Sequence, residues 1–137
     1  MSSDDRLQAM VSQLRMIESY LNEIGSRESL SVRAAAEARA SIEAVRAVIS
    51  SDTNDFLIPL GGGLMVQSSI ARPKKVVVGI GAGITMEKDP EDAIAFVDER
   101  IKELEKGLQE LGSQRLGLTK QYEATKAAIN SLASGKG

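Results

Sequence analysis

The residues whose spacing first suggests chemistry are two glycine clusters, Gly61-Gly62-Gly63 and Gly81-Ala82-Gly83, each set between apolar runs. Glycine-rich loops can cradle phosphate, but these two do not fit that chemistry. A dinucleotide fingerprint needs G-x-G-x-x-G opening a helix, yet counting from Gly79 the third glycine position holds Ile84. A P-loop needs a lysine followed by serine or threonine, which Gly61 to Ser69 lacks. Carboxylates come next. Asp52 with Asp55 lies in a polar loop, and Glu99 with Glu103 on a helix face with cations four residues away or closer. That pattern supports helices and solubility rather than acid–base catalysis. Histidine and cysteine are both absent, which removes the commonest general base, the commonest metal ligand, thiolate sites and disulfides. The sequence therefore points away from an enzyme and calls for no cofactor and no metal.

What the glycines do instead is conformational. Glycine takes the positive φ angles that tight hairpin turns demand. Ile58-Pro59-Leu60-Gly61-Gly62-Gly63-Leu64 aligns with Val78-Gly79-Ile80-Gly81-Ala82-Gly83-Ile84, so one hairpin is written twice between Phe56 and Lys88. Ala71-Arg72-Pro73-Lys74-Lys75 between them reads as a solvated loop. Leu64, Val66 and Ile70 share one strand face, with Leu60 leading into the turn, while Met65, Gln67 and Ser69 take the other face. Val76, Val78, Ile80, Ile84 and Met86 form the matching face of the second hairpin. Two short hairpins alone are marginal in water and invite pairing with another chain, so these residues are the expected oligomerisation surface.

The flanking segments follow a different period. Leu7, Met10, Leu14, Ile17, Leu21, Ile24, Glu28, Ser31, Ala35, Ala38, Ile42, Val45 and Ile49 keep a strict alternation of three- and four-residue steps. An ideal helix drifts ~20° per heptad, so holding that register predicts a coiled coil, and at ~1.5 Å per residue it would reach roughly 65 Å. Asp89-Pro90-Glu91-Asp92 signals a second helix start, after which Ile94, Val97, Ile101, Leu104, Leu108, Leu111, Arg115, Leu118, Tyr122, Thr125, Ile129 and Leu132 resume the register. The predicted fold is α+β: a long antiparallel two-helix coiled coil joined through two β-hairpins that assemble into an oligomeric β-barrel. One domain, 1–137, comprises a helix over 1–51, hairpins over 56–88 and a helix over 89–134. Counting inward from the hairpins puts Glu28 and Arg115 at the same height, which predicts a charge pair that fixes register. Leucine at 28 opposite Arg115 is then expected to destabilise the helical hairpin. Gly25, Gly107, Gly112 and Gly117 fall outside the seam and read as surface drift rather than designed softness.

Composition bounds the remaining classes. The 137 residues include only 3% aromatics and no tryptophan, poor material for a compact core. A net charge of −2 with mixed signs gives no nucleic-acid footprint and no cationic membrane surface. No apolar run approaches the ~20 residues of a membrane span, and Met1-Ser2-Ser3-Asp4-Asp5 does not read as a secretory signal, so a cytoplasmic location is expected.

A long helix, hairpins built on Ile58-Pro59-Leu60-Gly61-Gly62-Gly63 and Val78-Gly79-Ile80-Gly81-Ala82-Gly83, and a second long helix after Glu87-Lys88 together resemble the α-type subunit of prefoldin, over essentially the whole chain. Four strands match the α class rather than the single-hairpin β class. The resemblance implies a hexamer of two α and four prefoldin β subunits with a double β-barrel body and coiled-coil tentacles. It implies a chaperone that holds unfolded client proteins without ATP and passes them to a group II chaperonin. Antiparallel pairing would bring the chain ends together, and fraying there would expose Leu7, Met10, Val11, Leu14, Met16, Ile129 and Leu132 as client-binding candidates. Leu14 and Ile17 suit core packing better, whereas Val11 and Met16, just off the seam, suit client contact. The rival reading is a self-assembling structural or tethering coiled-coil protein that serves no clients.

Overall fold

The computed structural model describes residues 2–135 and runs α1 (Ser3–Ile49), β1 (Thr53–Gly61), β2 (Leu64–Ala71), β3 (Val76–Gly81), β4 (Ile84–Lys88) and α2 (Pro90–Ala133). Met1, Lys136 and Gly137 of the expected 1–137 unit lie outside the described residues. Both helices start where the local chemistry dictates. Ser2 Oγ accepts a hydrogen bond from the Asp5 amide at 3.1 Å, and Asp4 and Asp5 place negative charge against the positive end of the helix dipole. Asp89 O accepts from the Ala93 amide at 2.9 Å, and Pro90 occupies the first helical position, where its missing N–H costs nothing. Gly135, at φ 74°, closes α2 by donating its amide to Leu132 O.

The chain divides into two compact units, one formed by residues up to Ala34 with those from Leu104 onward, the other by Ala35–Glu103. In the first, Ile17 and Ile24 are buried on the α1 seam, and Glu28 on α1 meets Arg115 on α2. In the second, Ile42 packs with Ile94 and Ile101, joined by Ala38, Val45 and Val97. Each fully buried Ile contributes about 1.5–3 kcal/mol, so this narrow seam is the main apolar cohesion of the helices. Among all the predicted seam positions Arg115 alone is exposed.

The strands form two separate two-stranded antiparallel sheets, β1–β2 and β3–β4. Sheet pairing begins earlier than the expected Phe56: Thr53, Asn54 and Asp55 pair with Ala71, Ile70 and Ser69. Their polar side chains suggested a turn, but their backbones are carried into the ladder by the hairpin root. Each turn contains two residues at positive φ, Gly62 and Gly63 in one and Ala82 and Gly83 in the other, the backbone that a two-residue hairpin loop requires. The pairing register shifts between Pro59 and Gly61 and again between Gly79 and Gly81, so the repeat in sequence is also a repeat in geometry.

Candidate interaction surfaces

Each hairpin is stapled at its root by a cation and a carboxylate. Arg72 Nη2 lies 3.1 Å from Asp52 Oδ1, the Arg72 amide donates to Asp52 O at 2.8 Å, and Asn54 Nδ2 donates to Val48 O at 2.8 Å, tying β1 to the end of α1. Lys75 Nζ lies 2.7 Å from Asp89 Oδ1, tying the start of β3 to the start of α2. The hydrogen bond to Asp89 and its charge hold the Lys75 ammonium above its ordinary pKa. Lys102 is raised likewise by Glu99 and Asp98, a solvated cluster on one helix face.

Beyond the roots the two hairpins differ. Across β1–β2, Phe56, Ile58, Val66 and Ile70 share one face, while Leu57, Pro59 and Met65 share the other. Leu57 and Met65 are each 61% exposed, and Phe56, Ile58, Leu60, Leu64, Val66 and Ile70 are exposed too. Such a concentration of apolar side chains in water marks an interaction surface. Leu60, Leu64, Val66 and Ile70 were expected here from the sequence. Phe56, Leu57, Ile58 and Met65 were not, and their roles emerge only from the pairing register.

On β3–β4 the matching face is partly covered by the chain itself. Val78 is 7% exposed, in a cleft shared with Ile42, Val45, Ile94 and Val97, and Val76 is half-buried beside it. Val78 therefore corrects the expectation that it faces a partner: the helices reach it first. Ile80, Ile84 and Met86 remain exposed, as does Val77 on the opposite face.

At the other surface of interest, Arg115 Nη2 donates to Glu28 Oε2 at 2.9 Å. The Glu28 side chain is 21% exposed and that of Arg115 54%, so the carboxylate sits in the seam and the guanidinium reaches in from solvent. Toward the chain ends, Leu7, Met10, Val11, Leu14, Ile129 and Leu132 are half-buried and Ile17 is buried, whereas Met16 is 58% exposed. Tyr20, one helical turn from Met16, is exposed as well. It escaped the sequence reading, although its four-residue spacing from Met16 off the seam was the available signal.

Among the described residues no group of three or more His, Cys, Asp and Glu could hold a metal ion, and no helix is long and apolar enough to cross a membrane. The arrangement offers apolar surfaces on paired strands and paired helices, which is the equipment of a protein that acts by binding other chains. A family model described as "Prefoldin subunit" matches residues 15–134. A prefoldin subunit alpha of Nitrosopumilus maritimus is 32% identical, covering 95% of this chain and 90% of the relative. One of Methanocorpusculum labreanum is 30% identical, covering 98% and 97%. A cryo-EM structure of filamentous PFD from Methanocaldococcus jannaschii superposes with a TM-score of 0.60 at 20% identity, covering 90% of this chain and 98% of that one, which establishes likeness of fold. These matches define first a class, the oligomeric, non-enzymatic chaperone subunits with coiled-coil helices and β-hairpins. Within that class the chain belongs to the prefoldin alpha-subunit family.

Proposed function

We propose that this chain is an ATP-independent holdase subunit that assembles through its hairpins with prefoldin β subunits, two α to four β. The whole chain acts as one prefoldin-type unit in the cytoplasm, capturing unfolded polypeptides near the helix ends and passing them to a group II chaperonin without catalysing a reaction. The observation that carries the reading is the uncovered apolar surface of β1–β2, which water penalises until another hairpin covers it. Exposed Met16 and Tyr20 support the client half, since a flexible thioether and an amphipathic ring adapt to many sequences. Weak single contacts gain from several helix pairs gripping one client at high effective concentration.

The test is the native mass of the assembly recovered with this chain from its own cells, followed by suppression of client aggregation. A hexamer containing two copies, whose holding activity falls several-fold in Met16→Ser/Tyr20→Ser while its mass stays the same, is the expected result. Retention of full activity by that variant would refute the placement of client contacts. A second reading, self-assembly into a structural filament, is favoured by the filamentous state of the structural relative. An open series of this chain alone, without client protection, would select it.

A further inference from the structure

The hydrophobic seat of β3–β4 is directionless: Val78 lies in its cleft against Ile42, Val45, Ile94 and Val97, but apolar contact alone leaves a two-stranded hairpin free to pivot. Beyond the Lys75–Asp89 tie at the root, one side chain adds direction farther along the hairpin. Arg100 on α2 donates from Nη2 to the carbonyl of Gly79, the residue after Val78, at 2.6 Å. Its guanidinium is itself held, with Cζ 4.5 Å from the centroid of the Phe96 ring one turn earlier on α2. Lys88 Nζ, from the last residue of β4, lies 5.3 Å from the same ring. Both strands of the hairpin are thus tied to one turn of α2, β3 by a hydrogen bond and β4 by a cation over a ring. The Gly79 carbonyl lies immediately before the register shift of β3, the point where a bulge bends a strand. By contrast, the anchors of β1–β2 described above lie at its root.

We propose that Arg100 is a positioning residue for assembly: by fixing β3–β4 on α2 it sets the angle at which this hairpin is presented to a partner strand, with Phe96 holding the guanidinium. The inference rests on the reading of the hairpins as the assembly surface. Arginine suits the task because its planar fork stacks and donates at once.

The experiment compares wild type with Arg100→Met, which keeps the stem and the helix propensity and deletes the donors. Backbone amide exchange in the full chain alone and the concentration at half assembly with the prefoldin β subunit are both measured. Loss of the Gly79 hydrogen bond is expected to raise exchange across Val76–Lys88 by about tenfold, leave the amides around Ile42 and Ile101 unchanged, and raise the half-assembly concentration by about tenfold. Arg100→Lys, retaining a donor without the planar stack, should recover part of both effects. Gly79→Ala, which keeps the carbonyl and adds a Cβ with nothing within 4 Å, should match wild type. Unchanged exchange in Arg100→Met, exchange raised throughout the helices, or faster hairpin exchange with unaltered assembly would each overturn the proposal. A wild-type chain that stays monomeric with the prefoldin β subunit present overturns the assembly reading itself, and the exchange data, which need no assembly, tell that failure apart from a failure of Arg100.

Discussion

The Glu28–Arg115 pair makes an asymmetric prediction that sequence spacing alone does not. The carboxylate is 21% exposed and the guanidinium 54%, joined at 2.9 Å. Arg115→Met leaves a mostly buried carboxylate without its cation, a loss on the order of 1–2 kcal/mol for a charge-assisted bond at intermediate burial. Glu28→Met leaves a guanidinium that is already half in water and free to swing fully out, a loss of roughly 0–1 kcal/mol, offset by burial of the apolar methionine side chain in the seam. Glu28→Met should therefore fall within about 0.5 kcal/mol of wild type, and the double variant should regain most of what Arg115→Met loses. The sequence-based expectation for an apolar residue at 28 is a loss of stability; the unequal exposure of the two side chains predicts a near-neutral change instead. Urea unfolding of the full chain, followed by far-UV circular dichroism, gives all three values. A Glu28→Met loss equal to or larger than that of Arg115→Met would refute the assignment of the carboxylate as the enclosed partner.

Two further perturbations separate local terms. Gly107 and Gly112 are half-buried on α2, neither has positive φ, and an added Cβ would meet nothing within 4 Å at either, so alanine at each should stabilise by about 0.5–1 kcal/mol and raise the melting temperature by roughly 2–4 °C. No rise in thermal melts would mean that the added methyl groups disturb packing. The Lys75–Asp89 staple has a pH signature: Asp89 raises the Lys75 pKa above its ordinary 10.5, so its stabilisation is fully present below 10.5 and lost as pH climbs through the raised value. The melting-temperature gap between wild type and Lys75→Met should narrow across that alkaline window, and also in ~1 M salt, where the screening length is ~3 Å; a gap constant under both conditions would remove the ion pair from the account.

Which parts of this molecule could be read from its sequence follows from how far each signal reaches along the chain. Seam positions are set by the period of one helix, so Leu7 to Ile49 and Ile94 to Leu132 were legible, and even Glu28 facing Arg115 came from counting inward from the hairpins along the two helices. The turns were equally local, because Gly62, Gly63 and Gly83 favour positive φ, and Ala82 is carried into the same conformation by the repeat that aligns it with Gly62. What stayed hidden depended on contacts between elements. Alternation put Val78 with Val76 and Met86 on one face but could not say that α1 and α2 cover the Val78 end of that face, nor that the corresponding face of β1–β2 stays open. Arg100 carried only the weak signal of its four-residue spacing from Phe96: it sits off the seam in a helix full of charges, and its stacking on that ring and its 2.6 Å reach to a strand carbonyl 21 residues away separate it from its solvated neighbours. The same holds for Phe96, which sequence would file as one more apolar residue beside the seam. An arginine stacked one turn from an aromatic, facing a glycine-bearing strand, becomes meaningful only when the hairpin is laid on the helix. This is why assembly surfaces in such a chain are predictable as stretches, while the residues that aim them are not.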